Sequence, residues 1–270
     1  MSEAFDRPAL MKAGIALATV AVLANVPYSA LIVLFDYDDV LRRPAGEVLE
    51  LFHAGGSALV LAWWTFALSA IGFAVAAMLL GEALKDGKAK LATGFTLFGV
   101  LSGVFQAAAL LRWTFAIPAV ATAYVQGAEG SAERAAAIAS YEALNTFAGV
   151  GMGEHLGQVL LMVWTLGAGL ALMRMGGATK WIGAAGLFTL PLWEVGQTEL
   201  LSLSMPELPV IEVLPYAFMG LELWLLVVGV ALQHAASGQP VQQAVERDAA
   251  DVQPARGERP QGLRVREAAE

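Results

Sequence analysis

Several stretches of about 20 residues carry almost no charge, and no other feature constrains the chain as strongly. A helix of that length crosses the roughly 30 Å hydrocarbon core of a bilayer. Six such spans can be read, at residues 12–35, 54–80, 91–115, 147–173, 181–201 and 213–232. Each is expected to be helical, because a lipid-exposed backbone must satisfy its own N–H and C=O groups. Composition agrees. Of 270 residues, 57% are hydrophobic and 15% charged, whereas soluble domains have about 45–50% apolar and about 25% charged residues. The expected fold class is an all-α integral membrane protein with six transmembrane helices in one bundle, residues 1–234. Residues 235–270, rich in Gln, Ala, Pro and alternating Arg and Glu, read as a disordered tail.

The first span follows Arg7 and Lys12 as a signal peptide would. It exceeds an h-region of about 7–15 residues and is not cleanly followed by an A-x-A-like site, so it reads as a retained helix. Lys and Arg set the orientation. Counting Lys12 and Arg112 with the span ends at which they stand, the side holding the segments before the first span, after the second and fourth, and after the sixth has 12 of them, and the other side has 4. Both termini are therefore expected in the cytoplasm, with the protein in the cell (inner) membrane. The connection at 118–145 is long and Ala-rich, and Ser131 is placed to cap a helix running towards the fourth span.

The net charge is −8, which argues against nucleic acid as a partner. The absence of cysteine excludes disulfides, thiolate metal sites and cysteine nucleophiles. No Walker lysine motif, H-E-x-x-H or G-x-S-x-G occurs, so there is no recognisable catalytic motif. The acidic run from Asp36 to Asp39 lacks the Gly and distal Glu of a calcium loop and reads as a solvated face.

Charged groups at membrane depth cost about 2.5–3.5 kcal/mol on insertion scales and mark functional sites by default. Glu154, Glu194, Glu199 and Glu222 fall inside spans, with His155, Asn25, Gln106, Gln158 and Gln197; His53 and Arg112 stand at span ends. With cytoplasmic termini, these groups converge towards the outer side of the bilayer, with Glu222, about nine residues into the sixth span, near the midplane. In the fourth span Gly149, Gly153 and Gly157 recur every fourth residue. At about 100° per residue they form a packing ridge facing away from Glu154, His155 and Gln158. Glu194 and Gln197 share a face of the fifth span, and Glu199 points elsewhere. Structural readings stand beside the functional ones. Arg112 and Glu154 suit an ion pair between helix ends, His155 an interhelical hydrogen bond, and His53 a solvated interfacial position. Glu194 and Glu222, alone in apolar spans, must be neutral or face a polar cavity.

Two strings carry a resemblance. Leu111-Arg112-Trp113-Thr114-Phe115-Ala116-Ile117-Pro118, and Gly149-Val150-Gly151-Met152-Gly153-Glu154-His155-Leu156-Gly157 followed by Trp164-Thr165, resemble a bacterial family of multi-pass membrane proteins catalogued only as a domain of unknown function. The resemblance implies a six-helix membrane domain over about residues 10–232 and singles out Arg112, Glu154 and His155. It supplies no activity, substrate or cofactor.

Three function classes follow. The first is a polar site built from Arg112, Glu154, His155, Gln158, Glu194, Gln197 and Glu222, binding or passing an ion, proton or small polar ligand. The second is a haem- or metal-binding redox protein or enzyme using His53 and His155. The third is a regulatory scaffold or sensor acting through protein partners. The lipid bilayer is the one partner common to all three.

Overall fold

The structure, a computed structural model, describes residues 6–37, 39–85 and 91–237. Every regular element among them is helical. Helix α1 spans Arg7–Phe35; the carboxylate of Asp6 caps its start, and it ends where Asp36 turns left-handed (φ 53°). A 3-10 turn, Asp39–Arg42, leads to α2, Ala45–Ala83. Then follow α3 (Leu91–Leu110), α4 (Arg112–Phe115), α5 (Ile117–Gln126) and α6 (Ala132–Leu144). A π-helical segment, Asn145–Leu156, passes into α7 (Gly157–Met175). Helices α8 (Gly177–Ser202) and α9 (Leu214–Ser237) complete the described chain. Residues 235–237, assigned to the tail from sequence, finish α9. The remainder of the expected tail lies outside the described residues.

The long helices form a closed ring in which α1 packs on α2 and α9, α2 on α3, α3 on α7, α7 on α8, and α8 on α9. Neighbours run antiparallel, as their close approaches reveal. Gly14 of α1 lies against Gly229 of α9, while Tyr28 further along α1 meets Phe218 near the start of α9. Gly81 of α2 faces Thr96, and Gly103 faces Ala70. Helices α7 and α8 fold back at Gly176 and Gly177, whose positive φ values (83° and 58°) suit a residue without Cβ. Gly183 then lies against the Gly169 carbonyl, and Gln197 reaches His155 at the far end. The start of α1 and the end of α9 therefore share one end of the ring. Without a hydrophobic drive between helices in lipid, such close approaches let van der Waals packing hold the ring together.

Five helical stretches are long and apolar enough to cross a membrane: Arg7–Phe35, Ala45–Ala83, Gly94–Gln126, Ala132–Met175 and Leu214–Ser237. Helix α8, the expected fifth span, falls outside this group because Glu194, Gln197 and Glu199 dilute its apolar content. The outer surface is apolar: Val33 is 84% exposed and Phe188 83%, which inverts the arrangement of a water-soluble core.

Three local features extend the sequence reading. Helix α2 begins nine residues before the expected span and kinks at Gly56 (φ 55°, ψ −149°), a conformation that L-residues rarely adopt. The third and fourth spans extend into a helical hairpin, α5–α6. Ser131 accepts from the Arg134 N–H at the start of α6, as its position in the sequence suggests. Arg134 braces the turn through the carbonyls of Tyr124 and Gly127. Finally, the fourth span opens with the π segment rather than an α-helix; the Gly157 N–H reaches the Met152 carbonyl, five residues back.

Candidate functional site

The ring encloses a cavity of about 530 Å³. Its walls come from α1, α2, α3, α4, the π segment, α7, α8 and α9. From mid-bundle it runs towards the end opposite the described termini, where Tyr37 and Arg42 from the α1–α2 connection line it. Pockets of roughly 300–1,000 Å³ with mainly apolar walls and a few placed polar groups are typical of small-molecule sites.

Four of the seven residues assigned to the site from sequence line this one space, Arg112, Glu154, Gln158 and Glu222, together with Gln106 and Glu199, which the sequence also singled out at membrane depth. Glu222 of α9 is 8% exposed, and its Oε2 is buried without a hydrogen-bond partner. Arg112 is equally buried. Its Nη1 donates to the Ala109 carbonyl at 2.9 Å and its Nη2 to Asn145 Oδ1 at 2.9 Å, while Nε is left without a partner. Glu154 is the foremost attractive charge acting on Arg112. The guanidinium also lies over the Trp113 ring, 5.1 Å from its centroid. Trp113 in turn stacks on Trp63 at 4.8 Å, in an aromatic cluster with Phe35 and Phe52 that holds α4 against α1 and α2.

His155 and Gln197 lie just outside the lining. His155 Nδ1 and Gln197 Oε1 are 2.7 Å apart, and Gln197 Nε2 donates to Gln158 Oε1 at 2.7 Å. This chain links the π segment, α8 and α7 and fixes the Gln158 amide on the cavity wall. Glu194 stands apart, exposed on α8 beside Leu192 and Val195. His53 is exposed near the kink of α2, and neither it nor His155 lines the cavity. Among the described residues no three His, Asp or Glu side chains are grouped to hold a metal ion.

The fourth span departs from its expected geometry. The glycine ridge packs closely, against α3 and α4: a Cβ on Gly149, Gly153 or Gly157 would meet Arg112, Ala109 or Gln106. Glu154, His155 and Gln158, however, do not share one direction away from it. Glu154 and Gln158 line the cavity beside Gly149 and Gly153, while His155 turns to α8. The π segment advances less than 100° per residue, so angles computed for an α-helix do not hold across it.

Sequence reasoning missed Tyr28, Tyr37, Arg42 and Asn145. Arg42 donates through Nη2 (2.6 Å) and Nε (3.0 Å) to Glu199 Oε1, tying the α1–α2 connection to the end of α8, with Glu212 a further 3.6 Å contact. Burial works against the Arg42 charge, but the bond to Glu199 and the pull of Glu199, Glu212 and Asp39 outweigh it and raise its pKa. Asp36 pairs with Arg43, and Asp39 contacts Arg42 at 3.5 Å, so this run serves local ion pairs. A missed signal was the pairing of polar connections at one end of the ring: Arg42 between α1 and α2, Glu199 at the end of α8.

The fold, whose regular elements are all helical among the described residues, with its apolar outer surface defines a protein suited to a membrane environment. The chain belongs to the family described as Domain of unknown function (DUF4386), which it matches over residues 12–229. No curated protein and no solved structure matches it.

Proposed function

We propose that this chain is a multi-pass protein of the cell membrane whose central cavity binds a small polar ligand reached from the outer side. The observation that carries the reading is Glu222, a carboxylate 8% exposed, on the wall of a 530 Å³ space, with one oxygen lacking any protein partner. A carboxyl group held at membrane depth costs enough that function is its default explanation. A space of this size is far larger than one proton or bare ion needs and falls within the range of small-molecule pockets. Arg112, Glu154 and Gln158 supply further polar contacts on the same wall.

In this reading α8 is the sixth crossing. It lies antiparallel along α7, from the Gly183–Gly169 approach to the Gln197–His155 bond, and turns Trp181, Phe188, Leu192 and Val195 outward. Six crossings put both termini on one side, and the 12-to-4 excess of Lys and Arg makes that side the cytoplasm. The cavity then opens outward, at the end where Arg42 and Glu199 meet.

Thermal unfolding of the detergent-purified full chain, with choline, glycine, glycolate, acetate or potassium added, tests the reading. At least one probe is expected to raise the unfolding temperature, since saturation to about 100 Kd stabilises by about 2.7 kcal/mol. Ala24→Trp, which fills the wall beside Tyr28, is expected to abolish that rise while leaving a cooperative transition. No rise with any probe, or a rise that survives Ala24→Trp, would overturn it.

A further inference from the structure

We infer that the ligand of this cavity is a small organic monocation, a protonated or quaternary ammonium held by Glu222 against an aromatic wall; this rests on the cavity being a ligand site.

The first argument is charge. Five ionisable side chains of formal charge line the cavity: Arg42, Arg112, Glu154, Glu199 and Glu222. Arg42 is taken by Glu199 at 2.6 Å. Arg112 is held by Asn145 and the Ala109 carbonyl, with Glu154 as its foremost attractive charge. Arg42 therefore has a carboxylate of its own, Arg112 has Glu154 as the foremost attractive charge beside its two neutral acceptors, and Glu222 is the acid that faces neither guanidinium. When Glu222 is ionised the lining carries one negative charge in excess, which a monocation cancels and an anionic ligand would add to. Burying an unpaired charge is far more costly than burying a pair.

The second argument is the wall beside Glu222. Phe218 lies four residues earlier on α9, hence on the same face of the helix. Its ring centroid is 4.9 Å from Tyr28 of α1 and 6.1 Å from Phe66 of α2, and Tyr28 and Phe66 are 6.0 Å apart. All three rings line the cavity, and Phe218, which joins the other two, is one helical turn from Glu222. Aromatic faces attract cations, most of all weakly hydrated quaternary ammonium groups, and do so best where water is excluded. A bare metal ion is disfavoured by the same wall, which offers it no oxygen cage. Carboxylate and rings come from α9, α1 and α2, consecutive members of the ring, so a ligand there bridges the closure between first and last helix.

Equilibrium binding to the purified full chain, followed by the emission of Trp113 and Trp193 on the cavity wall, tests the inference. The probes are choline, its uncharged isostere 3,3-dimethylbutan-1-ol, and the anion glycolate. Choline is expected to bind at least about tenfold more tightly than the isostere, and Glu222→Gln to remove about tenfold or more of that affinity. Phe218→Leu keeps the carboxylate and is expected to weaken choline severalfold; it decides the matter should Glu222→Gln fail to fold. Equal affinity for choline and the isostere, or choline binding unaltered by both substitutions, would overturn the cation assignment. Saturable binding of glycolate or the isostere in place of choline overturns it too, yet leaves the cavity a ligand site. Silence from choline in both this titration and the unfolding panel, with another panel member active, overturns the cation alone; silence from every probe overturns both readings.

Discussion

Glu222 illustrates how a single residue can be set for something other than stability. A buried polar atom with no partner costs about 1–3 kcal/mol, and Oε2 of Glu222 is such an atom. Glu222→Leu is therefore expected to stabilise the ligand-free chain by about 1–3 kcal/mol, read as a higher unfolding temperature in detergent, while abolishing probe binding. A lower unfolding temperature would mean that Glu222 has structural partners. Gly56 works in the opposite sense. Its φ of 55° and ψ of −149° lie where a Cβ is strained, although nothing lies within 4 Å of that Cβ. Gly56→Ala is expected to cost about 1 kcal/mol or more through the backbone alone, seen in the same assay. Arg112, Glu154, Gln158 and Glu222 were legible in sequence because ionised and amide groups inside apolar spans have few bland explanations. Arg42, Tyr28, Tyr37 and Asn145 were not, since at a helix end or in a connection those residue types are ordinary. Glu194 looked equivalent to Glu222 in sequence; only the rotation of α8 within the ring separates an exposed carboxylate from a buried one.

At the scale of elements, the π segment decides most. Residues 145–156 bring Asn145 and Glu154 to the cavity and His155 to α8. The 3.6-residue period of an α-helix could not reveal that division. The glycine spacing, by contrast, was readable, because a ridge of small residues serves close packing in either helix type. Gly153→Leu is expected to disrupt the contact with α3. Its Cβ alone would stand 2.5 Å from Ala109 Cβ, and overpacking of this kind costs about 1–3 kcal/mol or more. The measurement is the unfolding temperature, with Gly151→Leu as control, since a Cβ there meets only the Thr146 carbonyl at 3.4 Å. The His155–Gln197–Gln158 chain should behave as a unit. Gln197→Leu removes both bonds, and interhelical hydrogen bonds in membranes average about 0.6 kcal/mol each. The expected loss of about 1 kcal/mol should not be additive with that of His155→Ala in a double-mutant cycle. Strict additivity would show that the two side chains do not interact.

For the whole molecule, the helical character of the apolar spans was plain from charge-free length alone. Five of the six expected spans, not all six, are long and apolar enough to cross a membrane. The family was legible from local strings rather than from span length. Ring closure was not. Which helix lies beside which depends on small residues such as Gly14, Gly183 and Gly229 meeting backbone of their neighbours, and no period along the chain encodes those pairings. Closure gives the molecule an interior, and the interior gathers polar groups from helices far apart in sequence into one space. The chain's lack of cysteine makes that interior directly measurable. Ser69 lines the cavity from α2, so Ser69→Cys places the chain's single thiol there. Modification of that thiol in intact cells by the membrane-impermeant cationic reagent MTSET is the most direct test. The expected result is reaction from outside, faster than with the anionic reagent MTSES and slowed by choline. A thiol that reacts only after the cytoplasmic side is opened, or with neither reagent, would contradict an outward-facing ligand site.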